Sequence, residues 1–592
     1  MNVDTGNVNA HQYTNFSGDS YLRGSYLSSM AGQLSSQPFI YRLPTEILIE
    51  ILLLVKDELG DKRWHRWSRL LRVCKKWYDV LREAPILWRT IYLSKKVDRE
   101  ALMYSLTYSR DALINIDSFH CADMALVTSL LSPHLHRVRV LKLDDLMRIN
   151  SYPTASLLYH DMPMLETLKL SFEAEVIDGD DELSRLDPEV EDDEEGSPTR
   201  YPFFWFPKAS QFPRIVSLEL GRLVALQITR FPVFTTLKKL VLDHCTVVGE
   251  TSLQDFFAHL AAHPLLEEVY LNRTQFLLPN PSTKLHLPST IRKFCVEDFP
   301  TYISHFFSSL SPIPPTVNVR LRRCCRYIGP DDGPEEPTSS TYSLPPDRSV
   351  LPILDMVDSV TITVDHWEYY TMVGRTPAPD LTLAAISAWA FEDHQMNLLE
   401  EVCDAFGRAQ LTELRVDGHG IHEMDAERWM TLFRTFPGLR RIAITATAMD
   451  FVGEESDCVD ARPGLLKALS IPAVAGERAA DPGAAEPVPC PGLETLVVCT
   501  MAPHEDRVLA VQLAKCLESR AARGLRVEEL KIMLRNWERR TPESDSEIAR
   551  RKEVFTDVLA PNLVGALTFV GEEAENSFEV CRMVRSDCLS HC

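Results

Sequence analysis

A short block of apolar residues, written h-x-x-h-x-h, recurs through the second part of this 592-residue chain. The chain is 45% apolar, so the bare pattern arises by chance at about 9% of positions. Five copies also carry a proline two positions before the first apolar residue, and this shared proline is the real signal. The five copies are 163–170 (PMLETLKL), 213–220 (PRIVSLEL), 264–271 (PLLEEVYL), 437–444 (PGLRRIAI) and 491–498 (PGLETLVV).

The spacing of these blocks predicts a stack of repeated units. Blocks that begin at Ile215, Leu237, Leu266 and Ile291 are 22, 29 and 25 residues apart, and those at Leu411, Leu439, Leu466 and Leu493 are 28, 27 and 27 apart. Each block suits a short strand, and the segments between blocks, such as 252–262 and 426–435, have helical character. One unit cannot bury its own apolar face, so neighbouring units must stack into a curved array with a continuous parallel sheet.

A period of 20–30 residues with L-x-x-L-x-L is typical of leucine-rich repeats, and this part of the chain resembles the leucine-rich-repeat-like domains of fungal F-box proteins. Only Cys245 fills the Asn/Cys position of that repeat well, so we expect an irregular solenoid. The strand positions between buried residues then line the concave face. Candidates there are Glu219, Lys239, Val241 and Tyr270.

Three segments interrupt the repeats and are predicted to be exposed loops: an acidic insertion at 173–203 and Pro-rich stretches at 328–348 and 472–490. Residues 173–195 contain thirteen acids and one base, which supply −12 of the net charge of −22. Such a run is usually a solvated segment, and recruitment of a basic partner is the other interpretation.

The N-terminal part has a different pattern. Residues 1–37 are polar with no apolar period and are predicted to be a disordered arm, and residues 571–592 are predicted to be a C-terminal tail that frays. Residues 38–95 predict three short helices. The first begins near Pro44 and Glu46, the second runs from Leu70 to Leu81, and the third begins at Pro85 and includes Ile91. So small a bundle leaves apolar residues exposed, which is typical of a docking module.

The series L-P-x-E-I-L from Leu43, then V-C-K-K-W from Val73, then Leu87-Trp88 resembles an F-box. F-boxes bind the Skp-type adaptor of cullin–RING ubiquitin ligases, so the resemblance implies the same partner here. It also implies an adaptor-binding face or its support. The implied residues are Leu43, Pro44, Ile47, Leu48, Val73, Cys74, Trp77 and Trp88.

Composition and missing motifs exclude several other classes. The net charge of −22 and pI of about 5.3 argue against nucleic acid as a partner. No apolar stretch reaches the roughly 18 residues of a membrane helix, and no secretory signal begins the chain. No phosphate loop, zinc helix, nucleophile elbow or CxxC pair occurs, so we expect no cofactor, no metal and no enzymatic activity. The fourteen cysteines are read as reduced thiols of a cytoplasmic or nuclear protein.

The predicted fold is therefore α/β, with an F-box at 38–95 and a leucine-rich-repeat-like solenoid at 96–570. The predicted function is substrate recognition in a Skp–cullin–F-box ubiquitin ligase, with an unidentified target protein bound by the repeats. The alternative is a non-catalytic repeat scaffold whose F-box-like bundle only caps the solenoid.

Overall fold

The structure is a computed structural model of the full chain. It describes residues 42–59, 69–95, 97–121, 123–173, 208–222, 232–245, 247, 252–274, 276, 284–323, 343–365, 369–378, 382–389, 398–418, 425–445, 462–470, 488–500, 503, 506–534, 545–559 and 563–570. The predicted arm at 1–37, the tail at 571–592 and nearly all of the acidic insertion lie outside these residues.

The chain divides into two compact units, residues 1–83 and residues 84–592. In the described part of the first unit, helix α1 spans Thr45–Leu59, a 3₁₀ segment spans Leu70–Arg72, and helix α2 spans Lys75–Glu83. The periodic stretch from Leu70 to Leu81 was predicted to be one helix and is broken before α2. The break separates the short 3₁₀ turn from a strongly amphipathic nine-residue helix.

The described residues of the second unit form seventeen strands, ten further α-helices and five short 3₁₀ helices that follow β1. The strands are β1 (Thr90–Leu93), β2 (Ile114–Phe119), β3 (Val138–Leu146), β4 (Thr167–Phe172), β5 (Ser217–Gly221), β6 (Lys239–Asp243), β7 (Glu268–Asn272), β8 (Lys293–Asp298), β9 (Asn318–Arg323), β10 (Ser359–Asp365), β11 (Tyr369–Arg375), β12 (Thr382–Trp389), β13 (Glu413–Gly418), β14 (Arg441–Thr445), β15 (Thr495–Thr500), β16 (Val527–Leu534) and β17 (Val564–Val570). The helices are α3 (Arg99–Tyr108), α4 (Met124–Leu131), α5 (Ser151–Leu158), α6 (Leu253–Ala261), α7 (Pro300–Ser308), α8 (Leu398–Phe406), α9 (Ala426–Thr435), α10 (Arg462–Ser470), α11 (Asp506–Ala521) and α12 (Asp545–Val558). The 3₁₀ helices are Ser132–Arg137, Arg148–Asn150, Ala209–Gln211, Arg348–Val350 and Pro352–Met356.

All seventeen strands belong to one sheet, and most neighbours are parallel. Strands β1 to β9 pair in chain order, and so do β13 to β17. Between them lie β12, β11 and β10 in reversed order: β12 pairs with β9, and β10 pairs with β13. The pairings of β11 with both neighbours are antiparallel, so the prediction of a sheet parallel throughout is wrong for this section.

The proline-marked blocks become strands, as predicted. The blocks at 163–170, 213–220, 264–271, 437–444 and 491–498 contain or overlap β4, β5, β7, β14 and β15. Their second and third apolar residues, such as Leu218 and Leu220 of β5, point into the core and are buried. The predicted outer helices are α6 and α9, whose residues Phe256 and Leu432 pack into the same core.

The block at Leu466 is a different case, because it lies inside helix α10 and not in a strand. Leu465, Leu466 and Leu469 are buried at helical spacing, so the same h-x-x-h letters serve a helix here. Consecutive helices α8 to α12 pack on one another in chain order. The chain therefore contributes helix α10 to this series between β14 and β15.

Residues that were predicted to form a third helix belong to the sheet unit. Pro85–Trp88 is a single 3₁₀ turn, and Ile91 lies in β1, which pairs in parallel with β2. Proline at the start of this segment suits a turn as well as a helix, and the sequence pattern does not separate the two.

Both predicted Pro-rich loops contain buried residues near their C-terminal ends. Ser343 and Leu344 are at most 2% exposed. Cys490 is fully buried, and its carbonyl oxygen accepts a hydrogen bond of 2.9 Å from Arg520 of α11. Both segments therefore contribute residues to the core, and the first returns to the surface at Pro346 and Asp347.

Candidate functional site

Helix α1 has one buried and one exposed apolar stripe. Leu48 and Leu52, four residues apart, are fully buried. Ile47 and Leu54, seven residues apart and so on one helical stripe, are 48% and 64% exposed. Glu46 lies in the first turn, where the helix dipole favours a negative charge. The helix therefore presents apolar side chains to solvent after it has formed its core.

The start of α2 lies beside the start of α1. The Lys76 ammonium group donates a hydrogen bond of 2.5 Å to the Leu43 carbonyl oxygen, 33 residues earlier. Val73, which ends the preceding 3₁₀ turn, is 57% exposed. The exposed Pro44 and Val73 are thus carried by two segments that this hydrogen bond holds together.

The eight residues of the predicted adaptor face fall into three groups by exposure. Pro44, Ile47 and Val73 are exposed, Leu43, Cys74 and Trp77 are half-buried, and Leu48 and Trp88 are buried. The Trp88 ring lies 5.1 Å from the Tyr108 ring of α3, so it is a core side chain of the second unit. The Trp77 indole nitrogen is buried and makes no hydrogen bond to any described residue.

One exposed apolar residue of α1, Leu54, was not among the residues predicted for the adaptor-binding face. Leu54 extends the stripe of Ile47 by two turns and is the more exposed of the two. Its seven-residue spacing from Ile47 was the available signal, since residues seven apart share a helical face.

A second candidate surface is the face of the sheet opposite the helices. The register places Glu219 of β5 beside Val241 of β6, and Val241 beside Tyr270 of β7. Lys239 lies two residues before Val241 on β6, on the same face, and its ammonium group is 2.7 Å from a Glu219 carboxylate oxygen. The four residues predicted for the concave face therefore lie together on this face.

Tyr270 is the centre of a small polar cluster. The Lys239 and Lys293 ammonium groups lie 5.3 and 5.1 Å from the centroid of its ring, within the range of cation–π attraction. Its hydroxyl group donates a hydrogen bond of 2.9 Å to Glu268. Such a cluster fixes an aromatic side chain on a surface that is otherwise mixed in charge.

Residues with positive φ follow several strands. His120, Arg222, His244 and Arg273 come directly after β2, β5, β6 and β7, with φ between 43° and 54°. Each backbone N–H donates to a carbonyl of the next strand, as His244 does to Asn272 at 2.7 Å. This conformation costs a non-glycine residue roughly 1 kcal/mol or more. Its recurrence at four strand ends places polar residues along this edge of the sheet.

A buried contact between a side chain and a backbone carbonyl oxygen also recurs, two residues after the end of β6 and of β7. The Cys245 thiol donates to the Leu220 carbonyl oxygen at 3.3 Å, and the Thr274 hydroxyl lies 3.1 Å from that of Leu242. Thr274 thus occupies after β7 the position that Cys245 occupies after β6. Sequence analysis had assigned this position to Cys245 alone. A small side chain two residues after the strand was the signal.

The described residues offer little for redox or metal chemistry. They contain no group of three His, Cys, Asp or Glu side chains placed to hold a metal ion. Burial raises the pKa of the Cys295 thiol to about 11 and that of Cys490 to about 12. These two thiols are therefore protonated and poor nucleophiles near neutral pH.

Comparison with known protein families identifies an F-box-like domain at residues 40–94. F-box-like domains in general bind Skp-type adaptors and point to an adaptor role in ubiquitin ligases. The match covers α1, α2, the Pro85–Trp88 turn and β1. No curated protein matches the chain. No helix within the described ranges is long and apolar enough to cross a membrane.

Proposed function

We propose that the chain is the substrate-recognition subunit of a Skp–cullin–F-box ubiquitin ligase. Exposed Pro44, Ile47, Leu54 and Val73 would bind the Skp-type adaptor, and through it a cullin. The observation that carries the proposal is the exposed apolar stripe of α1 within a region that matches the F-box-like family. An exposed apolar stripe that is bordered by polar and charged residues is typical of a protein–protein interface.

The second unit is proposed to be an irregular leucine-rich-repeat-like solenoid that binds a target protein. Support comes from nine strands that pair in chain order from β1 to β9, with polar residues in register on the face opposite the helices. The chain would make and break no bond. Its contribution is to hold a target near the conjugating enzyme, which raises the effective concentration of the target.

Co-elution with a purified Skp-type adaptor in size-exclusion chromatography tests the adaptor role. The full chain is expected to co-elute with the adaptor. A variant with Ile47→Asp and Val73→Asp is expected to elute alone, because each change buries a charge in an apolar contact. Val508→Asp on α11 is the matched control, since Val508 is also 60% exposed. Circular dichroism must show that all variants are folded.

A non-catalytic scaffold is the second candidate. It is favoured by one observation: the F-box-like match runs to residue 94 and so includes β1, which pairs with β2 of the sheet. In this case the matched region would serve as the end of the repeat array. A wild-type chain that fails to bind the adaptor supports this candidate and contradicts the ligase role.

A further inference from the structure

Helix α3 carries two large apolar side chains on its outer face. Met103 and Tyr104 are 48% and 51% exposed, respectively. The inner face of the same helix is buried, and Leu102 and Leu106 pack into the core of the sheet unit. The core is therefore formed without Met103 and Tyr104, and exposed apolar side chains grouped in this way are typical of an interaction surface.

The aromatic ring of Tyr104 is held in one place by its neighbours. It stacks on the Tyr108 ring one turn later, with ring centroids 6.0 Å apart and ring planes 5° apart. The Tyr108 ring in turn lies 5.1 Å from the ring of Trp88, which is only 2% exposed. Three aromatic rings thus form a series from the core to the surface. A side chain fixed in advance loses less conformational entropy on binding, and tyrosine is enriched at interface hot spots.

This series explains how the buried Trp88 can serve an adaptor-binding face. The F-box resemblance implies that Trp88 belongs to that face or supports it, and the structure shows that Trp88 supports Tyr108 and thereby Tyr104. Ile86, in the same 3₁₀ turn as Trp88, is 43% exposed. Ile86, Met103 and Tyr104 are called the α3 patch below. They lie on two segments that pack together in the second unit.

Both ends of α3 are fixed to the rest of the second unit. At its start, the Asp98 carboxylate accepts a hydrogen bond of 3.0 Å from the Ala101 N–H. At its end, the guanidinium group of the buried Arg137 donates 2.9 Å to the Leu106 carbonyl oxygen and 3.1 Å to that of Ala112. The helix therefore presents the α3 patch in a preformed arrangement, which lowers the entropic cost of binding.

The α3 patch is too small to hold a partner by itself. Half-exposed side chains of this size expose roughly 100 Å² each, and so the three expose roughly 300 Å² together. A stable interface buries about 800 Å² on each partner. Exposed polar residues border the patch, with Glu100 one turn before Tyr104 and Thr107 one turn after Met103. The patch therefore suits the margin of a larger interface and not a dimer contact on its own.

The F-box-like domain offers that larger interface along the chain. Its match covers residues 40–94, includes the 3₁₀ turn that carries Ile86, and ends five residues before α3 begins at Arg99. F-box-like domains in general bind Skp-type adaptors. Because the turn of Ile86 packs on α3, the α3 patch continues the surface of the matched residues within the second unit.

From these observations we infer that the α3 patch extends the adaptor-binding surface beyond the segment that matches the F-box-like family. Tyr104 provides an aromatic contact to the Skp-type adaptor, and Ile86 and Met103 enlarge its apolar area. Trp88 and Tyr108 hold Tyr104 in position. The inference deepens the proposed function and rests on it, because it specifies which further residues of this chain contact the same adaptor.

Isothermal titration of a purified Skp-type adaptor into the full-length chain measures the contribution of Tyr104. Tyr104→Ala is expected to weaken adaptor binding about five- to tenfold, as for an aromatic contact at an interface. Tyr159→Ala is the matched control, because Tyr159 is 53% exposed at the end of α5. It is expected to bind within about twofold of wild type. Circular dichroism and urea unfolding show whether the variants keep the wild-type fold.

Photo-crosslinking detects the contact directly and does not depend on a truncated side chain. The full-length chain carries Tyr104→benzoylphenylalanine or, as the control, Tyr159→benzoylphenylalanine. Irradiation with the adaptor is expected to give a covalent product of both proteins from the first variant only. Equal yields from both positions, or no product from position 104, would overturn the inference.

The titration separates a failure of the inference from a failure of the proposed function. Wild-type affinity of folded Tyr104→Ala, together with weak binding by Ile47→Asp, contradicts only the α3 patch. Altered self-association of Tyr104→Ala with unchanged adaptor affinity would assign the patch to a second copy of the chain and would also overturn the inference. If the folded wild type does not bind the adaptor, the adaptor role fails and the inference fails with it.

Discussion

The guanidinium group of Arg551 on α12 forms a buried salt bridge with the carboxylate of Asp506 at the start of α11, 45 residues earlier in the chain. The Arg551 Nε donates to Asp506 at 2.7 Å and its Nη2 at 3.0 Å, and the two residues are 2% and 1% exposed. The Thr500 hydroxyl at the end of β15 donates to the same carboxylate at 2.5 Å. This ion pair and its hydrogen bond therefore connect helices α11 and α12 with strand β15.

Removal of Arg551 tests how much this pair supports the fold. Arg551→Ala leaves a buried carboxylate without its cation, which commonly lowers the free energy of unfolding by about 3–5 kcal/mol. Arg550→Ala, at an exposed neighbouring position, is expected to change it by less than about 0.5 kcal/mol. Urea unfolding followed by circular dichroism gives both values. Equal midpoints for the two variants would show that the pair is not structural.

Asp298 is expected to make the protein less stable at neutral than at acidic pH. Burial raises its pKa from 3.8 to about 6, while Arg273 and His244 act in the opposite direction. The folded state thus holds the proton more tightly than the unfolded state. The resulting penalty is absent below pH 3.8, grows as pH rises to 6, and reaches about 3 kcal/mol above it.

Asp298→Asn removes this penalty and keeps an oxygen that accepts the 2.8 Å hydrogen bond from the Phe299 N–H. The variant is expected to be more stable than wild type at pH 7.5. Its advantage is expected to fall by about 2 kcal/mol at pH 4.5. Urea midpoints at the two pH values measure the difference. An advantage independent of pH would mean that the carboxyl does not titrate in this range.

His259 and His263 on α6 have the opposite pH dependence. Their Nε2 atoms lie 3.4 Å apart, and burial lowers the pKa of both, that of His259 to about 4. The unfolded state therefore binds protons first. The stability contribution is complete above pH 6.5 and is lost as pH falls toward 4.

His259→Gln should therefore lose less stability than wild type between pH 7 and pH 5. The expected difference is about 1 kcal/mol, a value reduced because His259 is partly exposed and screened by solvent. His160→Gln, at an exposed position, is the control. The same acid sensitivity in His259→Gln as in wild type would assign the effect to other groups.

The repeated hydroxyl–carbonyl contact of Thr274 is a fourth test. Thr274 is 2% exposed, and its hydroxyl lies 3.1 Å from the carbonyl oxygens of both Leu242 and Asn272. Thr274→Val keeps the shape and removes one buried hydroxyl donor, while the Asn272 carbonyl oxygen still accepts a hydrogen bond from the His244 N–H. The change should therefore lower the free energy of unfolding by about 0.5–1.5 kcal/mol, the usual net contribution of one hydrogen bond. Thr431→Val on the exposed side of α9 should be nearly neutral. Equal urea midpoints for the two variants would contradict a structural role for the buried Thr274 hydroxyl.

The strand pattern was readable from sequence because strands of the parallel sections bury alternate residues, and five of them follow a turn that contains a proline. The meander of β10, β11 and β12 was missed because it lacks those turns. Alternation at Val360, Ile362 and Val364 was its available signal. Leu466 was misassigned because h-x-x-h begins both a helical and a strand pattern, and only the surrounding packing separates them.

The site was predictable in its location and less so in its exposed residues. The F-box-like submotifs located α1 and α2, yet the sequence did not separate the buried Leu48 from the exposed Ile47 next to it. Both are apolar, and the choice depends on which stripe packs against α2.

Isothermal titration of a purified Skp-type adaptor into the full-length chain tests the central claim most directly. We expect saturable binding by wild type, and about 30-fold or greater weakening by Ile47→Asp, since an interface anchor commonly contributes 2 kcal/mol or more. Val508→Asp should bind as wild type does. No heat of binding for the folded wild type, or equal affinity of Ile47→Asp, would contradict the adaptor-binding role.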